Sequence, residues 1–270
     1  MNDILRRSFA PITDEAWKEI DMQAARVLKG NLSARGLVDF NGPHGWALAA
    51  VNLGSVRVGS NEPIKGVSWG KRETQNLIEL RAHFSLKMWE LDNVSRGGRN
   101  PDLDPMVAAA RKVAIFEETA VYQGFNDGGI KGICDASTHK PVSMAAGDPD
   151  GFTEAVEAAV LALQKSGVGG PYALVLGTDP YALVKVGDPQ AYPLSKQVNV
   201  IADGGVFWSP ALHGGVVLSR RGGDFELTVG QDLSIGFRSQ DKESVDLFFT
   251  ESFTFRVLEP AAACELKIKA

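Results

Sequence analysis

The sequence predicts an α+β fold. Helical and strand periodicities are both strong, they do not alternate as regular βαβ units, and the last fifth is patterned almost wholly as strand. The 270 residues, with 44% hydrophobic and 23% charged side chains, can bury a large core and sit near the upper limit for a single one. One or two compact units are expected.

The first element is a helix. Thr13 precedes two acids and then Trp17, Ile20, Ala24, Val27 and Leu28 at helical spacing, with Gly30 as the stop signal. Residues Val51 to Gln75 carry Gly54, Gly59, Gly66, Pro63 and alternating polarity, as a protruding hairpin arm would. From Ile78 to Met88 every even position is apolar and every odd one polar, which predicts a long strand with one buried face. Asp104 as cap and Pro105 as first helical residue open the longest helix, running to Gly124.

The segment Cys134 to Asp150 is small, polar and proline-bearing, and reads as a loop joining two units. A helix fits Phe152 to Lys165, a buried strand fits Tyr172 to Leu176, and short helices follow at Pro180 and Pro193. Strand patterns then centre on Phe225 to Val229, Leu233 to Phe237, Val245 to Phe249 and Phe253 to Val257. No internal repeat is present.

Composition also restricts function. The apolar run Ala158 to Leu163 has six residues, far short of the roughly 20 a spanning helix needs, so no membrane partner is expected. The N-terminal residues show no secretory signal. Cys134 and Cys264 are far apart and form no C-x-x-C, consistent with free thiols in the cytoplasm. With 28 basic against 33 acidic residues and a net charge of −5, packaging of nucleic acid is disfavoured.

Catalytic patterns are mostly missing. G-x-S-x-G occurs once, around Ser68, but no buried strand feeds the turn, so the serine reads as a loop residue. His44, His83, His139 and His213 have no partner at metal-ligand spacing, and no Walker loop or dinucleotide fingerprint is present. Glu117 with Glu118, and Glu154 with Glu157, read as solvated helix faces. A chain of this size without a catalytic set is a structural or binding protein rather than an enzyme.

Several segments carry a resemblance. RRSFAPITDEAWKEID, GPHGW, IELRAHFSLKMWELDN, GIKGI, GPYALVLGTD, YPLSKQV, and above all RGGDFELTVGQDLSIGF followed by LFFTESFTFRV, resemble the encapsulins, microbial shell proteins once grouped with linocin-type bacteriocins. The likeness runs in order from Leu5 to Val257.

It implies the HK-type capsid fold of tailed phages, with a peripheral domain, an extended arm and an axial domain. Mapped here, the peripheral domain takes residues 1–50, with the N-terminal helix, 77–134, with a spine helix Pro105 to Tyr122, and 214–258. The arm takes 51–76, the axial domain 135–213, and a C-terminal segment 259–270. The resemblance further implies a closed homo-oligomer of about sixty copies, the smallest icosahedral shell. Such a shell encloses a cargo enzyme, ferritin-like or a dye-decolorising peroxidase, with iron storage as the role in the former case.

Three sites come with the resemblance. Cargo carrying a C-terminal targeting peptide would dock on Leu28, Leu32, Arg35 and Asp39 with Asp232, Leu233, Ser234 and Ile235, unless Leu28, Leu233 and Ile235 are plain core and Arg35 pairs with Asp39. The loop Val186, Gly187, Asp188, Pro189, Gln190 and Ala191 would ring a fivefold pore, with Asp188 forming an acidic ring or else pointing into solvent. Trp89 puts an indole on the polar face of the long strand. In some encapsulins a tryptophan in this W-E-L-D motif binds a flavin (FMN) together with an arginine on the preceding strand, here Arg81, although packing against a neighbouring subunit is the favoured reading. No cofactor is required. The alternatives are a phage major capsid protein and an enzyme, hydrolytic at Ser68 or flavin-binding at Trp89.

Overall fold

Thr13 caps the first helix as its position predicts. Its Oγ1 accepts a hydrogen bond from the Ala16 amide at 3.3 Å, and α1 runs Asp14–Asn31 with Ala16, Trp17, Ile20 and Ala24 buried along one stripe. This computed structural model describes residues 4–144, 149–186 and 194–269. A short 3-10 turn, Ala34–Gly36, leads into β1 (Asp39–Asn41).

The hairpin arm is present, as β2 (Ala50–Val58) and β3 (Gly70–Asn76), paired only with each other as a two-stranded sheet. Their register slips between Asn52 and Val56, where Gly54 takes a positive φ that a side chain would strain. Ser68 is exposed near the arm's tip, with no strand-turn-helix around it, so the elbow geometry is absent.

The long strand β4 is Ile78–Lys87. It ends one residue early, because Met88 starts a helix, α2 (Met88–Ser95), that the alternation concealed. Trp89 is therefore helical and not on a strand face. The spine helix α3 spans Asp104–Tyr122, with Pro105 in its first turn and Leu103, not Asp104, at the cap position. Then come α4 (Ile133–Ala136), β5 (Val142–Met144), α5 (Pro149–Lys165), β6 (Tyr172–Leu176), α6 (Thr178–Val186), α7 (Leu194–Ile201), β7 (Val206–Trp208) and β8 (Gly215–Ser219). The chain closes with β9 (Phe225–Val229), β10 (Ser234–Gln240), β11 (Ser244–Val257) and β12 (Ala263–Ile268).

Two five-stranded sheets result. In the first, β11 is the organiser: β4 lies antiparallel along one edge from Ser244 to Phe253, while β10 and then β9 follow one another along the other. The second has the order β5-β12-β8-β6-β7. This redraws two expected boundaries. Gly215–Ser219 pairs with Tyr172–Leu176 and so belongs with 135–213, and the C-terminal Ala263–Ile268 is an inner strand of the same sheet, not a separate segment.

The spine helix joins two cores. Its N-terminal half packs Met106, Ala110 and Val113 with Ile20, Leu86 and Phe249, and its C-terminal half packs Val121 and Tyr122 with the second sheet's Leu174, Val216 and Cys264. Phe249, Phe253 and Phe255 are at most 1% exposed, and truncating any of them to alanine costs about 3–5 kcal/mol.

Candidate docking wall and its buried ionic cluster

Part of the expected docking set lies together: Leu28, Leu233 and Ile235 share one core, and Arg35 reaches Asp232. Leu28 on α1 and Leu233, just before β10, are half-buried against one core, and Leu32 closes α1 with its amide on the Leu28 carbonyl at 3.0 Å. Ile235 is 3% exposed and so backs the wall as core. Ser234 Oγ donates to the Asp232 carbonyl at 2.7 Å and accepts from the Gln231 side chain at 2.9 Å, and Asp232 Oδ1 accepts from the Leu233 amide at 2.8 Å. Phe40, which the sequence reading did not single out, is 38% exposed, with the Arg35 guanidinium 5.3 Å from its ring centre.

Arg35 does not pair with Asp39. Its Nε and Nη2 grip Glu117 at 2.8 and 2.6 Å, Nη1 donates to Asp232 at 2.8 Å, and Nη2 also donates to Glu251 at 2.5 Å. Asp39 is exposed and instead accepts from the Gly223 amide at 2.6 Å. Most of Arg35's donors are thus committed inside the protein, which leaves little of it to fix a tag backbone.

Glu117 and Glu118 are both 0% exposed, so they are not a solvated face. Glu118 accepts from the Ala34 amide at 2.8 Å and from the hydroxyls of Ser33 and Ser209, each at 2.6 Å. One carboxyl thereby ties the turn carrying Arg35 to the spine helix and to the loop after β7. Burial pushes Glu118 up to about 7, against the lowering effect of its Ser209, Ser33 and Ala34 bonds. Burial and then the charge of Glu117 push Glu251 well above the usual carboxylate range, and its Oε2 is buried without a hydrogen-bond partner. Burial alone would weaken the charge of Arg35, but its bonds to Glu117 and the charges of Glu117, Glu251 and Asp232 prevail and hold it protonated.

A signal for this cluster existed. Glu117 and Glu118 lie four residues after Val113 and Ala114, on the buried stripe of α3, and Glu251 is the one charged residue in the buried stretch 247–255 of β11.

The other expected sites are not assembled in the same way. Arg81 pairs with Glu79 at 2.9 Å and lies 5.0 Å from the Phe248 ring centre, while Trp89, 70% exposed on α2, has Arg96 at 5.3 Å from its own. Arg81 and Trp89 thus each stack with a different partner. Of the loop expected to ring a pore, Val186 ends α6, and Gly187, Asp188, Pro189, Gln190 and Ala191 lie outside the described residues. A cleft of about 650 Å³ is lined by Cys134, His139, His213 and Glu265, yet among the described residues no three metal-ligating side chains converge.

Comparison with known proteins gives the family. Residues 1–254 match the family described as "Encapsulating protein for peroxidase". The type 1 encapsulin shell protein of Rhodospirillum rubrum is 43% identical over 273 residues, covering 99% of this chain and 97% of that one. The chain belongs to the encapsulin shell family. It is a nanocompartment shell protein, not an enzyme, and needs no cofactor. The fold agrees: the virus-like particle protein of Pyrococcus furiosus superposes with a TM-score of 0.64 at 16% identity, covering 93% of this chain and 98% of that one. The capsid of Myoviridae phage XM1 gives 0.52 at 14% identity, covering 86% and 90%. The α+β architecture is thus the capsid fold. Within it the chain forms two five-stranded sheets and the separate β2–β3 hairpin. Among the described residues no helix is long and apolar enough to cross a membrane.

Proposed function

We propose that this shell encloses a cargo enzyme whose C-terminal tag docks on the wall built by Leu28, Leu32, Phe40, Leu233 and Ser234. The observation that carries the reading is the wall itself: partly exposed apolar side chains, backed by the ionic cluster of Arg35 with Glu117, Asp232 and Glu251. Apolar side chains supply the burial, and a fixed frame lowers the ordering cost of binding an extended segment. Arg35, Asp232 and Ile235 act as the frame, with the exposed Asp39 at its margin.

About sixty copies close the smallest icosahedral shell. The loop 186–191 surrounds its fivefold opening, where five copies of Asp188 favour cations. The shell resides in the cytoplasm, without nucleic acid or membrane as a partner. A peroxidase or a ferritin-like iron oxidase is the cargo; the first is favoured because the family is that of encapsulating proteins for peroxidase, and the second would make the compartment an iron store. Flavin is no part of this proposal.

The test is cargo retention. The protein that co-purifies with the native shell is identified, its C-terminal residues are removed, and Leu233→Asp is made in the shell. Each change alone abolishes loading while leaving particles intact. Cargo retained after both would refute the docking wall.

A further inference from the structure

We propose that Gln75 and Arg256 form a paired latch that fixes the angle at which the arm leaves the body, and that this angle decides whether copies close into one uniform shell. The first sheet explains why a latch is needed. β4 pairs with β11 only as far as Ile78 opposite Phe253, and there the chain peels away into the arm. Beyond Phe253 that edge of β11 has no strand partner among the described residues, while β9 covers the opposite edge. An unpaired carbonyl at such an edge needs a donor.

Gln75, in β3, supplies it. Its Nε2 donates to the Phe255 carbonyl at 2.8 Å and to Thr254 Oγ1 at 2.9 Å. The side chain thus stands in for the ladder bond that β4 would have made had it continued. Arg256 holds the other arm strand: its Nη1 donates to the Asn52 carbonyl of β2 at 3.0 Å, while Nη2 is held by Glu226, its register partner on β9. Each strand of the arm is therefore tied once, by one side chain, to consecutive residues of β11.

Both ties sit at the root. Asn52 is the last paired residue before the register slip, and Leu53, Val56, Val58, Ile64, Val67 and Trp69 beyond it are all exposed. Beside the latch lies an open cleft of about 510 Å³ bordered by Asn52, Glu226 and Arg256, so packing does not hold the arm from that side. The Arg256 Nε is buried there without a partner. An arm fixed by two side chains over open space turns about its root when they are removed. In a closed symmetric assembly each contact repeats at every subunit, so a small change in a repeated angle decides whether the surface closes.

The experiment compares the full-length parental chain with the Gln75→Ala/Arg256→Ala double variant, by electron microscopy of the particles and by limited proteolysis of the arm. The parental chain gives one particle size. The double variant loses that single size, giving open or mixed particles and unassembled subunits, with the arm cut faster and the thermal unfolding of the body retained. If the double variant fails to fold, Gln75→Ala alone is read by the same two measures, since Gln75 lies outside both cores. Uniform shells with unchanged arm cleavage in a folded variant would overturn the latch. Absence of shells from the parental chain would instead overturn self-assembly.

Discussion

Two regions lean on the same strand in opposite ways. At Glu251, in the middle of β11, the N-terminal turn is held by a buried guanidinium with three carboxylates, and a fourth carboxyl, Glu118, fastens the turn's backbone. Five residues later, at Arg256, the arm is held by the hydrogen bonds of two side chains, Gln75 and Arg256, at an open edge. The first arrangement is over-determined, so losing one member strands buried charge. The second is adjustable, so losing one member frees a motion. The proposed functions use both: a wall of fixed shape for the tag, and an arm whose angle can settle as copies assemble.

The sharpest way to break the contrast is at Arg35. Arg35→Ala leaves Glu117 and Glu251 buried without their cation and should destabilise the subunit by about 3–5 kcal/mol, read as a lowered unfolding midpoint in denaturant. An unchanged midpoint would mean that the cluster is not structural.

Next in size is the pH response of Glu118. Its carboxyl titrates near 7 when folded, above its ordinary 4.5, so the folded state takes up a proton between those values. Stability accordingly falls as pH rises from about 4.5 to about 7, by roughly 3 kcal/mol. Glu118→Gln keeps an acceptor for Ala34 and polar partners for the two serines, and should flatten that slope; a slope left intact would locate the proton elsewhere.

The arm should respond in the opposite sense. Glu73 is held below the usual carboxylate range by hydrogen bonds from Ser55 and Arg57, so its contribution is present at neutral pH and lost as acid protonates it. Arm amides should therefore lose protection, measured against the intrinsic exchange rate at each pH, as the pH falls, while those of the Glu118 turn do not. Equal responses in hydrogen exchange would erase the distinction between the two regions.

The smallest effect concerns the thiols. Burial raises Cys134 to about 12 and Cys264 to about 11, so neither is a ready thiolate at neutral pH. Labelling by an alkylating reagent should be slow in the folded protein and fast in denaturant.

Most elements were legible from periodicity because their faces are simply apolar or polar. Thr13, the alternation after Ile78, Pro105 and the Tyr172–Leu176 run each produced the expected element. α2 was hidden because Met88 continued the strand's alternation for one more step, and only the backbone shows where the chain turns helical. β8 and β12 were missed because their identity as strands depends on pairing with each other, far apart in sequence. The wall residues were placed by resemblance, whereas the acids beneath them were misread by charge. A doublet of glutamates looks solvated until its position on the buried stripe of α3 is weighed against its charge.

The most direct test of the whole account is particle size, measured by negative-stain microscopy with light scattering on this chain purified alone. Uniform hollow shells a few hundred ångströms or less across are the predicted result. A monomer or small oligomer across pH and salt would contradict it.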